Sequence, residues 1–259
     1  KERMSLCPNK LNYYLDKNTF LNNHGICCLK ETKQPIKALI VMHTFGHPAD
    51  MIKISNICNR WNIVLIEDAA ESLGSFFEGK HTGTFGDYGT LSFNGNKIIT
   101  TGGGGMLLCK NSFLADKARH LATTAKARDL DFYHDQIGYN YRMPNINAAL
   151  GCAQFSYLDS YLKSKRKLAE IYSEFFKNSD FIFFKEPSDS SSNYWLNTVL
   201  APNKTQKDDF IKFTNELGIF TRPSWYLMHK LPIFDDHLSD NLDNTEWLSE
   251  RIINLPSSP

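Results

Sequence analysis

The run Ile63-Val64-Leu65-Ile66 is wholly apolar and then stops on two carboxylates, Glu67 and Asp68. A continuous apolar run of this length predicts a buried parallel strand, because a strand covered on one face only would alternate. Pro35 to Met42 predicts a second such strand. Between them Pro48 opens a helix through Met51, Ile52, Ile54, Ile57 and Cys58 that ends near Trp61. Strand, helix and strand in that order predict a right-handed parallel βαβ unit. His43 and Asp68 then open on the same edge of the sheet, where open α/β sheets bind ligands. Asp68 also reads as the N-cap of a following helix, with Glu71 at the capping-box spacing, and both roles can hold at once. His43 lines that pocket or is hydrogen-bonded within a strand-end loop.

A lysine follows in Ser92-Phe93-Asn94-Gly95-Asn96-Lys97-Ile98-Ile99-Thr100-Thr101, ahead of four consecutive glycines, Gly102 to Gly105. Thr90 to Phe93 predicts a strand and Met106 to Cys109 its antiparallel or neighbouring return. The glycines let backbone pass close to a ligand where a Cβ would collide. A lysine amine captures an aldehyde only when partly desolvated and oriented. Taken alone, Lys97 is more simply an ordinary loop lysine. With Asp68 at a strand end upstream it reads as a Schiff-base lysine, and Asp68 as the carboxylate that keeps a pyridine ring nitrogen protonated in pyridoxal phosphate chemistry.

The two stretches, with Gly138-Tyr139-Asn140-Tyr141-Arg142-Met143, resemble the DegT/DnrJ/EryC1/StrS family of pyridoxal-phosphate sugar aminotransferases. His43-Thr44-Phe45-Gly46-His47-Pro48-Ala49-Asp50 is similar to the family's H-x-x-G-x-x-x-D strand end, Glu67-Asp68-Ala69-Ala70 to its aspartate motif, and Ser92 to Met106 to its lysine motif. The resemblance runs from about residue 35 to the C-terminus and is strongest up to Asp159. It implies an α/β, fold type I aminotransferase architecture: a mostly parallel sheet flanked by helices, with a smaller C-terminal α+β domain. The expected division is a partial cofactor-binding domain over residues 1–160 and a small domain, incomplete at its end, over 161–259.

The resemblance also assigns roles. Lys97 and Asp68 would be catalytic, and Lys97, Asp68, Glu71, Ser92 and Asn140 would bind pyridoxal 5′-phosphate. Lys97 would hold its aldehyde and then move the proton, Asp68 would pair with the ring nitrogen, and Glu71 would lie where relatives place a glutamine or histidine beside the ring hydroxyl. Ser92 would donate to the phosphate, and Asn140 would reach the phosphate of a neighbouring subunit, which implies a homodimer with shared sites. Without the family, Asn140 is a turn residue after Gly138. His229 loosely matches a position near the sugar. The expected reaction moves an amine, from glutamate, to a nucleotide-diphosphate keto sugar destined for surface polysaccharide, most like the nonulosonic-acid and acetamido-sugar pathways. A non-catalytic remnant acting as a binding or assembly partner is the alternative. The chain has no starting Met and lacks the family's N-terminal phosphate loop and final helix, so a fragment or a shortened protein is expected.

The bulk properties agree with a globular protein. At 259 residues, 42% hydrophobic and 22% charged, the chain has room for a large domain and a companion. Its net charge of +1 gives no reason to invoke nucleic acid, and no polybasic or long apolar segment points to a membrane. The start Lys1-Glu2-Arg3 is not a signal peptide, and six cysteines without a ligand pattern suit free thiols, no metal and a reducing cytoplasm. At the N-terminus Pro8 opens a short helix through Leu11, Tyr14 and Leu15, and His24-Gly25 marks a turn. Further on, Phe113 to Thr123 predicts a helix, Thr124 to Gln136 a mobile loop, and Asn145 to beyond Leu162 one long helix. Residues 187–193 read as a loop, Tyr194 to Leu200 as a strand, and Lys207 to Leu217 as a helix stopped by Gly218.

Overall fold

The computed structural model describes residues 1–258. Pro8, pre-set for a helix start, opens α1 (Pro8–Asn18). A hairpin of β1 (Thr19–Leu21) and β2 (Cys27–Leu29) turns at Gly25, whose φ of +71° suits glycine. Then come β3 (Ala38–Met42), a 3-10 turn at Thr44–Gly46, α2 (Met51–Arg60) and β4 (Val64–Asp68). The Asp50 side chain caps α2 by accepting from the Lys53 N–H. A small hairpin, β5 (Phe76–Phe77) and β6 (Lys80–His81), leads to β7 (Tyr88–Ser92) and β8 (Gly105–Cys109). Strand order in this main sheet is β3-β4-β7-β8, with the first three parallel and β8 antiparallel. The expected βαβ unit is therefore present, and its strands end together at Met42 and Asp68, with His43 next in the chain.

The second half begins with α3 (Ser112–Ala122), the hairpin β9 (Lys126–Arg128) and β10 (Tyr133–His134), and helices α4 (Asn145–Phe155) and α5 (Leu158–Phe175). It continues with β11 (Ile182–Phe183), β12 (Ser190–Ser191), β13 (Asn197–Leu200), α6 (Lys204–Glu216), β14 (Arg222–Pro223), α7 (Asp243–Ser249) and β15 (Ile252–Leu255). An antiparallel sheet orders β11-β13-β15-β14, while β12 pairs instead with β5. Leu15, Val41, Met51, Ile54 and Leu65 bury one face of the main sheet under α1 and α2. A second cluster joins Phe45, Ala69 and Leu91 to Leu158, Trp195 and Ile252, so the two sheets share a core.

Several sequence expectations change. The apolar strands are covered on one face only: Ile40, Met42, Val64 and Leu107 are exposed on the other, so the run at Ile63–Ile66 alternates in burial despite its composition. No helix follows Asp68. Glu71 turns inward to meet the Phe45 N–H and Gly74 takes a φ of +80°, and the chain makes turns there. The predicted loop at 124–136 contains the β9–β10 hairpin. The predicted long helix breaks at Ser156-Tyr157, where the Ser156 hydroxyl donates back to the Ala153 carbonyl. The predicted strand from Tyr194 starts only at Asn197, because Tyr194 has a φ of +48° and the Trp195 N–H is taken by the Asn193 side chain. Among the described residues, no helix is long and apolar enough to cross a membrane.

Candidate active site

Glu67 and His43 fix the edge on which the site stands. Both are fully buried, and the His43 Nε2–H donates to Glu67 at 3.0 Å. The tautomer follows from the other ring nitrogen, because His43 Nδ1 accepts from the Ala49 N–H. Glu67 also accepts the N–H groups of Gly83, Phe85 and Gly86. Burial works against its charge, yet these bonds hold its carboxyl below the usual range. The neighbouring Asp68 inherits a fixed backbone, with its carbonyl accepting from the His43 N–H and the Ala69 N–H bound to Thr90.

Strand alternation places the Asp68 side chain on the open face of the sheet, in register with Thr90, and Ser92 lies on that face two residues further along β7. Asp68 Oδ1 accepts from the Ala70 N–H at 3.1 Å. The Ser92 hydroxyl has one long contact, from the Asn94 N–H at 3.4 Å.

Lys97 follows β7 in a turn closed by its own N–H on the Asn94 carbonyl. Its Nζ lies 4.0 Å from the ring centre of Trp195, whose indole N–H holds the Asn96 carbonyl at 2.7 Å. Burial lowers the Lys97 pKa below the ordinary lysine value, while Glu71 and Asp68 pull it back up. The Glu71 carboxyl is pushed up to about 7 by burial, against the Phe45 N–H that donates to it at 2.7 Å and the nearby Lys97. Lys97, Glu71 and Asp68 therefore form one electrostatic group.

Asn140 and His229 make no hydrogen bond or ion pair with that group among the described residues. Asn140 is exposed in a backbone bridge to Thr123, and His229 Nε2 pairs with Glu246 at 3.1 Å. Sequence reasoning missed Asn193. Its side-chain amide donates to the carbonyls of Glu71 and Leu73 and its Oδ1 fills the space beside Gly46, so it clamps the turn that carries Phe45. No local pattern marks this residue, since its partners lie far away in sequence. The aromatic wall of Phe45, Trp195 and Trp225 was equally invisible.

A half-buried amine with lowered basicity, a carboxylate with one free oxygen and a hydroxyl on the same sheet face suit an aldehyde-bearing, anionic aromatic ring. The amine can meet the aldehyde, the carboxylate a ring nitrogen and the hydroxyl an anion.

The fold and site define an α/β protein with a lysine–carboxylate centre at the carboxyl ends of parallel strands. Residues 10–259 match the DegT/DnrJ/EryC1/StrS aminotransferase family, and the chain belongs to it. It is 39% identical over 223 residues to a GDP-perosamine synthase of Escherichia coli O157:H7, covering 86% of this chain and 61% of the relative. A GDP-perosamine synthase of Vibrio cholerae is 35% identical, with 89% of this chain and 64% of the relative covered. The crystal structure of a DegT/DnrJ/EryC1/StrS aminotransferase from Brucella abortus shares the fold with a TM-score of 0.88 at 24% identity, covering 100% of this chain and 66% of that one. The chain thus spans under two thirds of the length of the curated relatives it matches.

Proposed function

We propose that the chain carries the lysine-bearing site of a pyridoxal-phosphate aminotransferase that moves an amine from an amino acid, glutamate in the first instance, to a nucleotide-linked keto sugar for surface polysaccharide. The observation that carries the proposal is the position of Lys97, half-buried over Trp195 and facing Glu71 and Asp68. The curated relatives named for a nucleotide-sugar product support the substrate class.

When bound, pyridoxal phosphate supplies an aldehyde carbon for the amine and a ring that accepts electrons. Lys97 supplies the amine, and its lowered basicity keeps a larger neutral fraction ready to attack and to carry a proton on Nζ. Asp68 supplies a fixed negative charge for the ring nitrogen. Glu71, with a carboxyl poised near 7, can donate or accept a hydrogen bond at the ring hydroxyl. Ser92 offers its hydroxyl to the phosphate. Asn140, exposed on its bridge, serves the site of a second copy in a cytoplasmic homodimer, and His229 approaches the sugar. A division near residue 160 separates the cofactor-binding part from the small C-terminal part.

The second reading, a non-catalytic binding partner, draws on the open apolar sheet face at Ile40, Met42, Val64 and Leu107. Titration with pyridoxal phosphate separates the two. The enzyme reading expects saturable visible absorbance that is lost in Lys97→Ala. Absence of any saturable absorbance in the native chain favours the binding-partner reading.

A further inference from the structure

Glu71 and Asp68 both act on the charge of Lys97, yet among the described residues the Lys97 Nζ makes no hydrogen bond and no ion pair with either. What the amine meets is the face of the Trp195 indole, 4.0 Å from the ring centre. An ammonium within about 6 Å of a ring centre is attracted by the negative face of the π system, and indole attracts it most strongly. The ring is also fixed with respect to the lysine. Its indole N–H donates to the Asn96 carbonyl at 2.7 Å, and the Lys97 N–H donates to the Asn94 carbonyl at 3.1 Å. Both ends of the peptide unit that leads into Lys97 are thereby held. Trp195 is anchored in turn, because its backbone N–H donates to the Asn193 side chain at 2.8 Å and its carbonyl accepts from the buried Lys165 amine at 3.2 Å. The residue is only 5% exposed. Indole and amine therefore stand as one preset unit.

We infer that Trp195 is a catalytic residue, the seat on which the Lys97 side chain rests as an ammonium whenever it carries no aldehyde. A carboxylate in that place would form a desolvated ion pair, which is costly to break and would occupy an anion needed elsewhere in the site. The indole face attracts the ammonium without hydrogen bonding it, so the amine is held in place and remains free to leave. The ring favours the charged amine while burial favours the neutral one. Trp195 therefore shares with Glu71 and Asp68 the control of how much neutral amine is present at a given pH. The consequence for turnover rests on the aldehyde-capturing reading of Lys97, whereas the seat itself is tested without the cofactor.

Fluorinated tryptophan tests it, because fluorine drains the negative face of the indole while nearly preserving its shape. The chain is produced with ordinary, mono- and trifluorotryptophan at its four tryptophans, and trace acetylation with acetic anhydride is followed at Lys97 by mass spectrometry across a pH series. The midpoint of the Lys97 reactivity curve should fall stepwise with fluorination, by about half a pH unit or more in the trifluoro protein. In Trp195→Phe, fluorination of the other three tryptophans should leave the midpoint in place. A midpoint that does not move, or that rises, on fluorination of the native chain overturns the seat, since a merely structural or desolvating ring does not respond in this graded way. A fluorine effect that persists in Trp195→Phe assigns it to another ring and overturns the inference as well. Should Trp195→Phe fail to fold, fluorinated Trp225→Phe takes its place, because Trp225 is the tryptophan stacked on Trp195. The shift must then survive, and its loss places the effect on Trp225 and overturns the inference. Loss of the seat with Lys97 still captured by pyridoxal phosphate removes this inference alone. An intact seat on a Lys97 that never takes up pyridoxal phosphate removes the functional reading and, with it, the catalytic role of Trp195.

Discussion

The Phe45 N–H donates to the Glu71 carboxylate at 2.7 Å from a residue whose own φ is +58°, so a strained turn after β3 reaches across to hold the acid that faces Lys97. That contact is the strongest pull on Glu71 toward its charged form, and burial outweighs it. Between the ordinary carboxyl value of 4.5 and about 7, the folded chain therefore binds more protons here than the unfolded chain. This contribution to stability is largest at low pH and is lost as pH rises through 7. Glu71→Gln removes the titration. The variant should gain stability over the native chain at pH 8, by up to about 3 kcal/mol, and little at pH 5. Chemical denaturation at the two pH values measures it, and an equal difference at both would contradict the assignment.

His47 gives the opposite slope. It is fully buried with neither ring nitrogen bonded, edge-on to Phe184 and Tyr194, and burial lowers its pKa to about 3. The unfolded chain takes up this proton from 6.5 downward while the folded chain stays neutral, so stability is full above 6.5 and falls as the solution is acidified toward 3. The loss from this one group approaches about 1.4 kcal/mol per pH unit in that window. His47→Leu keeps the volume and should flatten the acid limb of a stability–pH curve. Parallel curves for the two proteins would show that His47 does not titrate on unfolding.

Asp68 is expected to act through charge. Asp68→Asn keeps the shape and the Ala70 contact but removes the anion. Turnover should fall by at least about a hundredfold, or roughly 2.7 kcal/mol of barrier, with the melting temperature little changed. Near-native turnover in that variant would reduce Asp68 to a turn residue.

The βαβ unit was legible because it is written locally, as an apolar run with a polar stop, and Lys97 and Asp68 drew attention in the same local way, although the structure shows only that their charges act on one another. The rest depends on partners distant in the chain. Asn193 reaches Glu71 from 122 positions away and Trp195 reaches Asn96 from 99, and no periodicity records such contacts. Ile63 to Ile66 misled for a different reason. Its composition suits burial on both faces, whereas the described residues cover one. The break at Ser156-Tyr157 is a change of backbone angle at Tyr157, with φ −102° and ψ 0°, which a helical pattern of apolar residues does not register.

The central claim is that Lys97 takes up the cofactor, and covalent mapping tests it most directly. The chain is mixed with pyridoxal phosphate, reduced with borohydride, digested and sequenced by mass spectrometry. The informative competitor is Lys165, which burial also lowers, to about 8, but whose amine is bound to the Trp195 and Ser257 carbonyls inside the core. A phosphopyridoxyl group on Lys97, absent in Lys97→Ala, is the predicted result; a label on Lys165 or any other lysine, with Lys97 unmodified, would contradict the account.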